Sequence, residues 1–426
     1  DDASAWIHVE RPAARPPESG WKLHVSGTPW SAHGILRAIL PALLAENAGF
    51  KVVASVSKLA DLNEGAGGLS QIGKFVTVYP NDDSQAVRLA VALDEATRGL
   101  QGPPIPSDRA LASGSLVHYR YGPFVGRGRV EALLPEYAPP DAIDDPFMAA
   151  GVAEPAEETL PGGRYFVTST MHHSVAGAVY LAVDLVEGRS CVLKKARKNA
   201  RLLPDGRDAR DDLRHEADIL TRLAPDDRFP RVFEVIEEDD DLFVAMELIE
   251  GRTLGRYVHA RYRRGDSVPR KELLGWARDL VEALARIHAQ GLVYRDLNPV
   301  NVIVSSRGGL GVVDFELTQE QGTVTLFYTA GTPGYVSPQQ ARGVAASFTD
   351  DIYGLGAVLF FAATGTDPDD GLASRDAVTA RIMAANPDGG PDLAALIARC
   401  LEREAEARWD SIADVSRALE QAEQAE

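Results

Sequence analysis

Between Ala138 and Gly163 the chain runs through PPDAIDDP and AEPAEETLPGG, which are acidic, rich in proline and poor in large apolar side chains. Such a stretch cannot bury enough apolar surface to offset the entropy lost on ordering it. It reads as a linker over 138–163, dividing the 426 residues into an N-terminal domain over 1–137 and a C-terminal domain over 164–426. Composition supports a core on each side, since 45% apolar and 25% charged residues is ordinary globular usage. The formal net charge of −18 argues against a nucleic-acid partner. Cys191 and Cys400 are too few for a disulfide framework or a Cys-rich zinc site, which fits a reducing cytoplasm. The longest apolar run, Leu355–Ala363, is about half the ~20 residues of a membrane-spanning helix, and no signal-peptide pattern opens the chain. No membrane association is expected, and a start at Asp1 rather than Met reads as a fragment of a longer protein.

The N-terminal domain alternates short strands with helices. Trp21–Ser26, Phe50–Ser57, Lys74–Tyr79 and Ser115–Tyr121 read as strands. Ser31–Ala45 reads as a helix with Ile35, Ile39 and Leu43 on one face and Thr28 as its cap, and Asp83–Arg98 reads as a second. In GWKLHVSG the two-residue period puts Lys22, His24 and Ser26 on one face and Trp21, Leu23 and Val25 on the other. The same rule puts His118 beside Arg120, and Lys74 opens a strand just after the Gly-rich EGAGGLSQIG. Cations repeated on otherwise apolar strands are costly to bury unpaired, so they point to a bound anion. The competing reading is a solvent face of an antiparallel sheet.

The C-terminal domain carries short motifs in a fixed order. CVLK ends at Lys194, LRHEADILTRL contains Glu216, and MELIEG spans Met246–Gly251. YRDLNPVN (Tyr294–Asn301) follows a helical stretch ending at His288, and DFE (Asp314–Glu316) follows the strand GLGVV. GTPGYVSPQQ, DIYGLG and Arg408 in EAEARWD complete the set. In this order they resemble the protein kinases, whose catalytic loop is H-R-D-x-x-x-x-N and whose metal element is D-F-G. The resemblance implies a bilobal fold, with an N-lobe over about 164–246 and a C-lobe over about 252–426. It makes Asp296 the acceptor of the hydroxyl proton and Asn301 and Asp314 the Mg²⁺ ligands, with ATP or another NTP as donor. Lys194 would pair with the nucleotide phosphates and with Glu216, while Gly177, Met246, Glu247 and Leu248 would line the nucleotide site.

Several positions depart from that pattern. HHSVAGAV keeps only Gly177 of the glycine-rich loop, with His172 and Ser174 at the other glycine positions. Asn298 stands where Ser/Thr kinases keep a lysine, Glu316 replaces the glycine of D-F-G, and Gln339 replaces the glutamate of A-P-E. The groups that do the chemistry are all retained, so activity is expected. The cations Lys195, Arg197, Lys198 and Arg201 that follow Lys194 read as a solvated face.

K-x-H-x-S at Lys22–Ser26 resembles the strand of bacterial phosphothreonine lyases. With LSQIGKFVTVYP, AVRLAVALDEATRGL, PSDR and SLVHYRYG, the N-terminal domain closely resembles the lyase domain of class III and class IV lanthipeptide synthetases, in which a kinase domain follows. The expected fold class is α+β, a phosphothreonine-lyase-like α/β domain followed by the kinase-like domain. The resemblance implies that Lys74 is the base that takes the α-proton. His24 is then the acid for the departing phosphate, and Lys22 and Arg120 are its phosphate ligands. His118 is either a further phosphate contact or a structural residue. It also implies a precursor peptide, with a leader and a Ser/Thr-containing core, as partner, and a cyclase domain in cis in the full-length protein. The alternative is a regulatory Ser/Thr kinase with an N-terminal sensory domain, which would leave stable phosphoproteins and would not need Lys74.

Overall fold

The computed structural model describes residues 5–10, 17–63, 68–124, 143–153, 161–174, 176–203, 205–238, 240–324, 331–369, 372 and 374–424. The chain divides into two compact units, Asp1–Leu213 with Val235–Val244, and Arg214–Glu234 with Ala245–Glu426.

The first unit opens with β1 (Trp6–Val9), β2 (Ser19–Ser26), α1 (Ala32–Ala45), β3 (Gly49–Val53), α2 (Val56–Asn63), β4 (Lys74–Tyr79), α3 (Asp83–Thr97), β5 (Arg109–Ala110) and β6 (Val117–Pro123). Its six strands form one antiparallel sheet in the order β1-β3-β4-β2-β6-β5. One face carries the core. Trp21, Leu23 and Val25 of β2 pack with Ile35, Ile39 and Leu43 of α1 and Leu89 and Leu93 of α3. The spacing of these residues gives each helix one apolar stripe. Thr28 closes the turn into α1 as expected of a cap, its Oγ1 accepting from Ser31 N at 3.1 Å while Ser31 Oγ accepts from Thr28 N at 2.9 Å, and its carbonyl accepts from Ala32 N at 3.0 Å. The strand expected to run to Ser57 stops at Val53, and α2 begins at Val56.

The pairing of β2 with β4 contains the irregularity that matters most. His24 faces Thr77 and Val25 faces Val76, but Ser26 faces Lys74, so Phe75 is an extra residue on β4. Regular alternation would put Phe75 on the face opposite Val76. With the bulge both enter the core, and Lys74 emerges on the face that carries His24.

Part of the expected linker is structured. α4 (Pro146–Ala149) is capped by Asp145, whose Oδ1 accepts from Phe147 N at 2.9 Å and Met148 N at 3.1 Å. Phe147 is fully buried in the N-terminal core, where its ring lies 4.2 Å from that of Tyr119. Ala153 joins it there, Ile143, Met148 and Val152 pack against the same core, and Tyr119 OH donates to Asp145 at 2.9 Å, so a few scattered apolar residues anchor a segment whose composition hides them. Residues 143–153 therefore pack with the N-terminal domain, while 138–142 and 154–160 lie outside the described residues.

β7 (Tyr165–His173), β8 (Gly177–Asp184) and β9 (Arg189–Ala196) follow as an antiparallel meander. With β10 (Val232–Glu238) and β11 (Asp241–Glu247) they make a five-stranded sheet, and α5 (Ala209–Leu223) lies between β9 and β10 in the chain. The second unit is mainly helical, with α6 (Leu254–Tyr262), α7 (Arg270–His288), α8 (Pro338–Ala341), α9 (Phe348–Thr364), α10 (Arg375–Ala385), α11 (Pro391–Cys400) and α12 (Ile412–Gln424). Short strands at Gly251–Thr253, Val302–Ser305 and Leu310–Val312 pair antiparallel and carry the catalytic-loop region. Among the described residues no helix is long and apolar enough to cross a membrane.

Candidate functional site

On the sheet face opposite the N-terminal core, adjacent strands set charged groups in register. Lys22 faces Arg120, and His24 faces His118 on one side and Thr77 on the other. Beyond Thr77, in the same row, comes Lys51 of β3. The face thus gathers Lys22, Lys51, Lys74 and Arg120, and the buried carboxylate of Asp108 enters it. The Oδ1 of Asp108 lies 3.0 Å from Lys74 Nζ and 3.9 Å from Arg120, and its Oδ2 touches Nδ1 of His24.

Electrostatics follow from burial and from this excess of positive charge. Burial, then the charges of Lys74 and Arg120, pull Lys22 down to about 8. Burial, then Lys74, pulls Lys51 down to about 8 as well. Burial is also the largest influence on Lys74 and lowers it, while contact with Asp108 works the other way. Asp108 itself is buried, which opposes its charge, yet His24 and Lys74 together hold its carboxyl far below the usual range. His24 is pushed down to about 3 and His118 to about 4, both chiefly by burial, so both rings are neutral near pH 7.

His118 uses both ring nitrogens on backbone. Its Nε2 accepts from Ile105 N–H at 3.2 Å, and its Nδ1 lies 3.3 Å from the carbonyl of Leu116. Of its two sequence readings, the structural one fits this geometry. It clamps the loop before β5, which delivers Asp108. That loop is packed closely against the strands, since a Cβ on Gly73 would meet Pro104 O at 2.8 Å and one on Gly102 would meet Ser26 Oγ at 2.3 Å.

Neutral buried histidines give the domain a pH signature. In the unfolded chain both ionise near 6.5, whereas the folded values are about 3 and 4. Below pH 6.5 the unfolded state therefore binds more protons, and stability falls as pH drops from 6.5 towards those folded values. Melting curves between pH 7.5 and 4 should show the N-terminal transition falling by several degrees, and a flat profile would contradict neutral rings.

Sequence reasoning missed Asp108, Lys51 and Thr77. Asp108 lies in the quoted PSDR but is a lone carboxylate in a loop. Lys51 was signalled by the period of GFKVV, in which Phe50 and Val52 are buried and Lys51 between them is not.

In the second unit the catalytic loop is held from behind. Asp351 accepts from Tyr294 N at 2.8 Å, Arg295 N at 2.7 Å and His288 Nε2 at 2.9 Å. Arg295 and Asp314 each adopt φ of 68°, a left-handed conformation that costs a non-glycine residue ~1–3 kcal/mol and so must be imposed by the surroundings. Tyr294, where the family has histidine, is fully buried and donates to Val313 O at 2.6 Å, tying the loop to the residue before Asp314.

Asp296 accepts from Asn298 Nδ2 at 3.1 Å and from Asn301 Nδ2 at 2.7 Å. Burial, then the nearby Asp314, pushes its carboxyl up to about 6. Asn298 thus bonds the carboxylate where a lysine would have neutralised it. With its Nδ2 committed to Asp296, Asn301 offers its amide oxygen to a cation. Glu216, Asp314 and Glu316 bring one carboxylate oxygen each within 4.8 Å of one another, and Glu216 also accepts from Phe315 N at 3.1 Å. This all-oxygen donor set suits a hard divalent cation. Gln339 keeps the role of the glutamate it replaces, accepting from the fully buried Arg408 at 2.6 Å.

Lys194 lies on β9, opposite Val179 of β8, in the first unit. Met246 and Glu247 end β11 and Leu248 follows it, with Glu247 N donating to Arg231 O at 2.9 Å. Gly177 has a packing reason of its own, because a Cβ there would fall 1.6 Å from Lys195 O. Its carbonyl and that of Ser174 accept from Arg197 at 3.1 and 2.9 Å. The other cations after Lys194 pair with acids: Lys195 with Asp241, Lys198 with Asp240 and Arg201 with Asp212.

Comparison with known proteins adds two family matches. Residues 1–142 match the family described as RamC, N-terminal domain, and residues 173–419 match the protein kinase domain. The chain is 32% identical to the probable SapB synthase of Streptomyces coelicolor over 81% of its length and 40% of that protein. It is 31% identical to the serine/threonine-protein kinase PrkC of Bacillus subtilis over 53% of the chain and 34% of that protein. To PksC, a serine/threonine-protein kinase of Streptomyces coelicolor, it is 30% identical over 60% of the chain and 48% of that protein. The chain thus spans less than half the length of each of these relatives.

Proposed function

Because the chain belongs to the protein kinase family, we propose that its kinase domain phosphorylates Ser and Thr hydroxyls of a ribosomal precursor peptide and that its N-terminal domain then eliminates the phosphate. The observation that carries this reading is the sheet face that gathers Lys22, Lys51, Lys74, Arg120 and His24, with Asp108 contacted there by His24, Lys74 and Arg120. A sensory domain has no need of such a face, whereas a phosphate dianion does.

The kinase family uses ATP and a divalent metal, which we take to be Mg²⁺. Asn301 and Asp314 would hold the metal, Lys194 would pair with the nucleotide phosphates, and Asp296 would accept the hydroxyl proton as the γ-phosphoryl group passes to oxygen. In the second step a lysine takes the Cα proton, its electrons form the Cα=Cβ bond, and the Cβ–O bond breaks. The phosphate leaves with a proton from His24, giving dehydroalanine from serine and dehydrobutyrine from threonine. Over both steps the peptide loses one water.

The resemblance made Lys74 the base. Lys74 is only 4% exposed and its Nζ pairs with Asp108 at 3.0 Å, which holds its proton in place. Lys51 is half-buried, sits two strands from His24 across Thr77, and is drawn to about 8. A base must be neutral near the working pH and able to approach the substrate. We therefore assign the α-proton to Lys51 and give Lys74 the task of fixing Asp108. His24, neutral beforehand, gains its proton once the dianion is beside it, so acid and substrate arrive together.

The deciding experiment incubates the chain with ATP, Mg²⁺ and a precursor peptide encoded beside its gene, and follows peptide mass. Net loss of 18 Da per modified residue, the mass of water, is the expected result. The similarity to PrkC and PksC favours a second reading, a regulatory kinase. Stable phosphate gain without elimination would establish that reading and end the first.

A further inference from the structure

Thr77 sits at the middle of the cationic face, with Lys51 opposite it on β3 and His24 opposite it on β2. Directly paired residues of antiparallel strands have Cβ atoms roughly 5 Å apart, so the hydroxyl lies within reach of whatever those two side chains hold. Its neighbours Val76 and Val78 point into the core, which fixes Thr77 on the other face. Its side chain is 2% exposed, and among the described residues Oγ1 has no hydrogen-bond partner.

A buried hydroxyl without a partner costs stability, and valine, of nearly the same shape, would avoid that cost. Ser26 is similarly orphaned, but its Oγ lies where a Cβ on Gly102 would meet it, so it is packed against the loop. Thr77 instead faces the cations. A hydroxyl can donate one bond to a phosphoryl oxygen, and no other neutral donor is set between Lys51 and His24 among the described residues.

We propose that Thr77 Oγ1 is a ligand of the bound phosphoryl group, a neutral donor that seats it between the lysine on β3 and the histidine on β2. The proposal rests on the elimination reading for the substrate, a phosphoserine or phosphothreonine residue, but its test reads phosphate binding directly.

The experiment compares wild type, Thr77→Val and Thr77→Ser in the full chain. Inorganic phosphate is titrated by calorimetry, the melting temperature is recorded without phosphate, and elimination is followed on N-acetyl-O-phosphothreonine methylamide. The expected result is that Thr77→Val binds phosphate about tenfold more weakly. Its melting temperature should be unchanged or higher, and Thr77→Ser should keep wild-type affinity. Equal phosphate affinity in Thr77→Val would overturn the proposal. So would a marked fall in its melting temperature, which would show the hydroxyl partnered within the fold. Loss of affinity in Thr77→Ser equal to that in Thr77→Val would overturn it too, since methyl packing would then be the cause. If wild type binds phosphate through Thr77 yet leaves the phosphothreonine probe intact, the elimination reading fails and the ligand assignment stands.

Discussion

Lys51→Ala is expected to stop the chain at the phosphopeptide. Phosphorylation does not use Lys51, so peptide should gain 80 Da, the mass of an added phosphoryl group, at the wild-type rate. Removal of a positioned base should slow elimination about 10²–10⁴-fold. The cavity left by the side chain is open to solvent on one side, since Lys51 is half-buried. A small primary amine such as methylamine should therefore restore part of the rate. The wild-type rate should rise with pH through about 8, as Lys51 loses its proton, and this rise should vanish in the variant. Lys74→Ala should also accumulate phosphopeptide, but by loosening Asp108, and amines should not restore it. Rescue of Lys74→Ala and not of Lys51→Ala would return the base to Lys74.

Asp296→Ala gives the complementary result. On the proposed reading Asp296 accepts the hydroxyl proton, so without it phosphorylation should fall about 10²–10⁴-fold, leaving the peptide at its starting mass. Synthetic phosphopeptide should still be eliminated at the wild-type rate, because nothing on the N-terminal sheet depends on Asp296. Burial is the largest influence on the Asp296 carboxyl and raises it above its ordinary range, so in wild type phosphorylation should lose rate on the acid side of its pH profile. Asn298→Lys would place a cation beside that carboxylate and should move the acid limb lower. Persistent phosphorylation by Asp296→Ala would place the proton acceptor elsewhere.

The C-terminal domain was legible because its chemistry is compressed into short, ordered motifs, and even its departures keep their partners. Gln339 still meets Arg408, and Tyr294 ties the catalytic loop to the strand before Asp314. The N-terminal face was legible where a strand is regular, as at Lys22, His24 and Arg120. It was opaque where the face draws on a loop, as at Asp108, or on a residue with no charge to announce it, as at Thr77. The linker stretch shows the opposite case: its composition is that of an unstructured segment, yet Phe147 and Ala153, with the partly buried Ile143, Met148 and Val152, pack against the N-terminal core.

The extra residue at Phe75 bears on how related sequences are to be aligned. A chain that kept each lysine and histidine of this face, and the length of β4, but paired β4 with β2 in unbroken alternation would turn the counterpart of Lys74 into the apolar layer beneath the sheet. It would score as a close match and lack the pocket. The bulge opposite Ser26 is therefore as much a part of this site as any side chain in it.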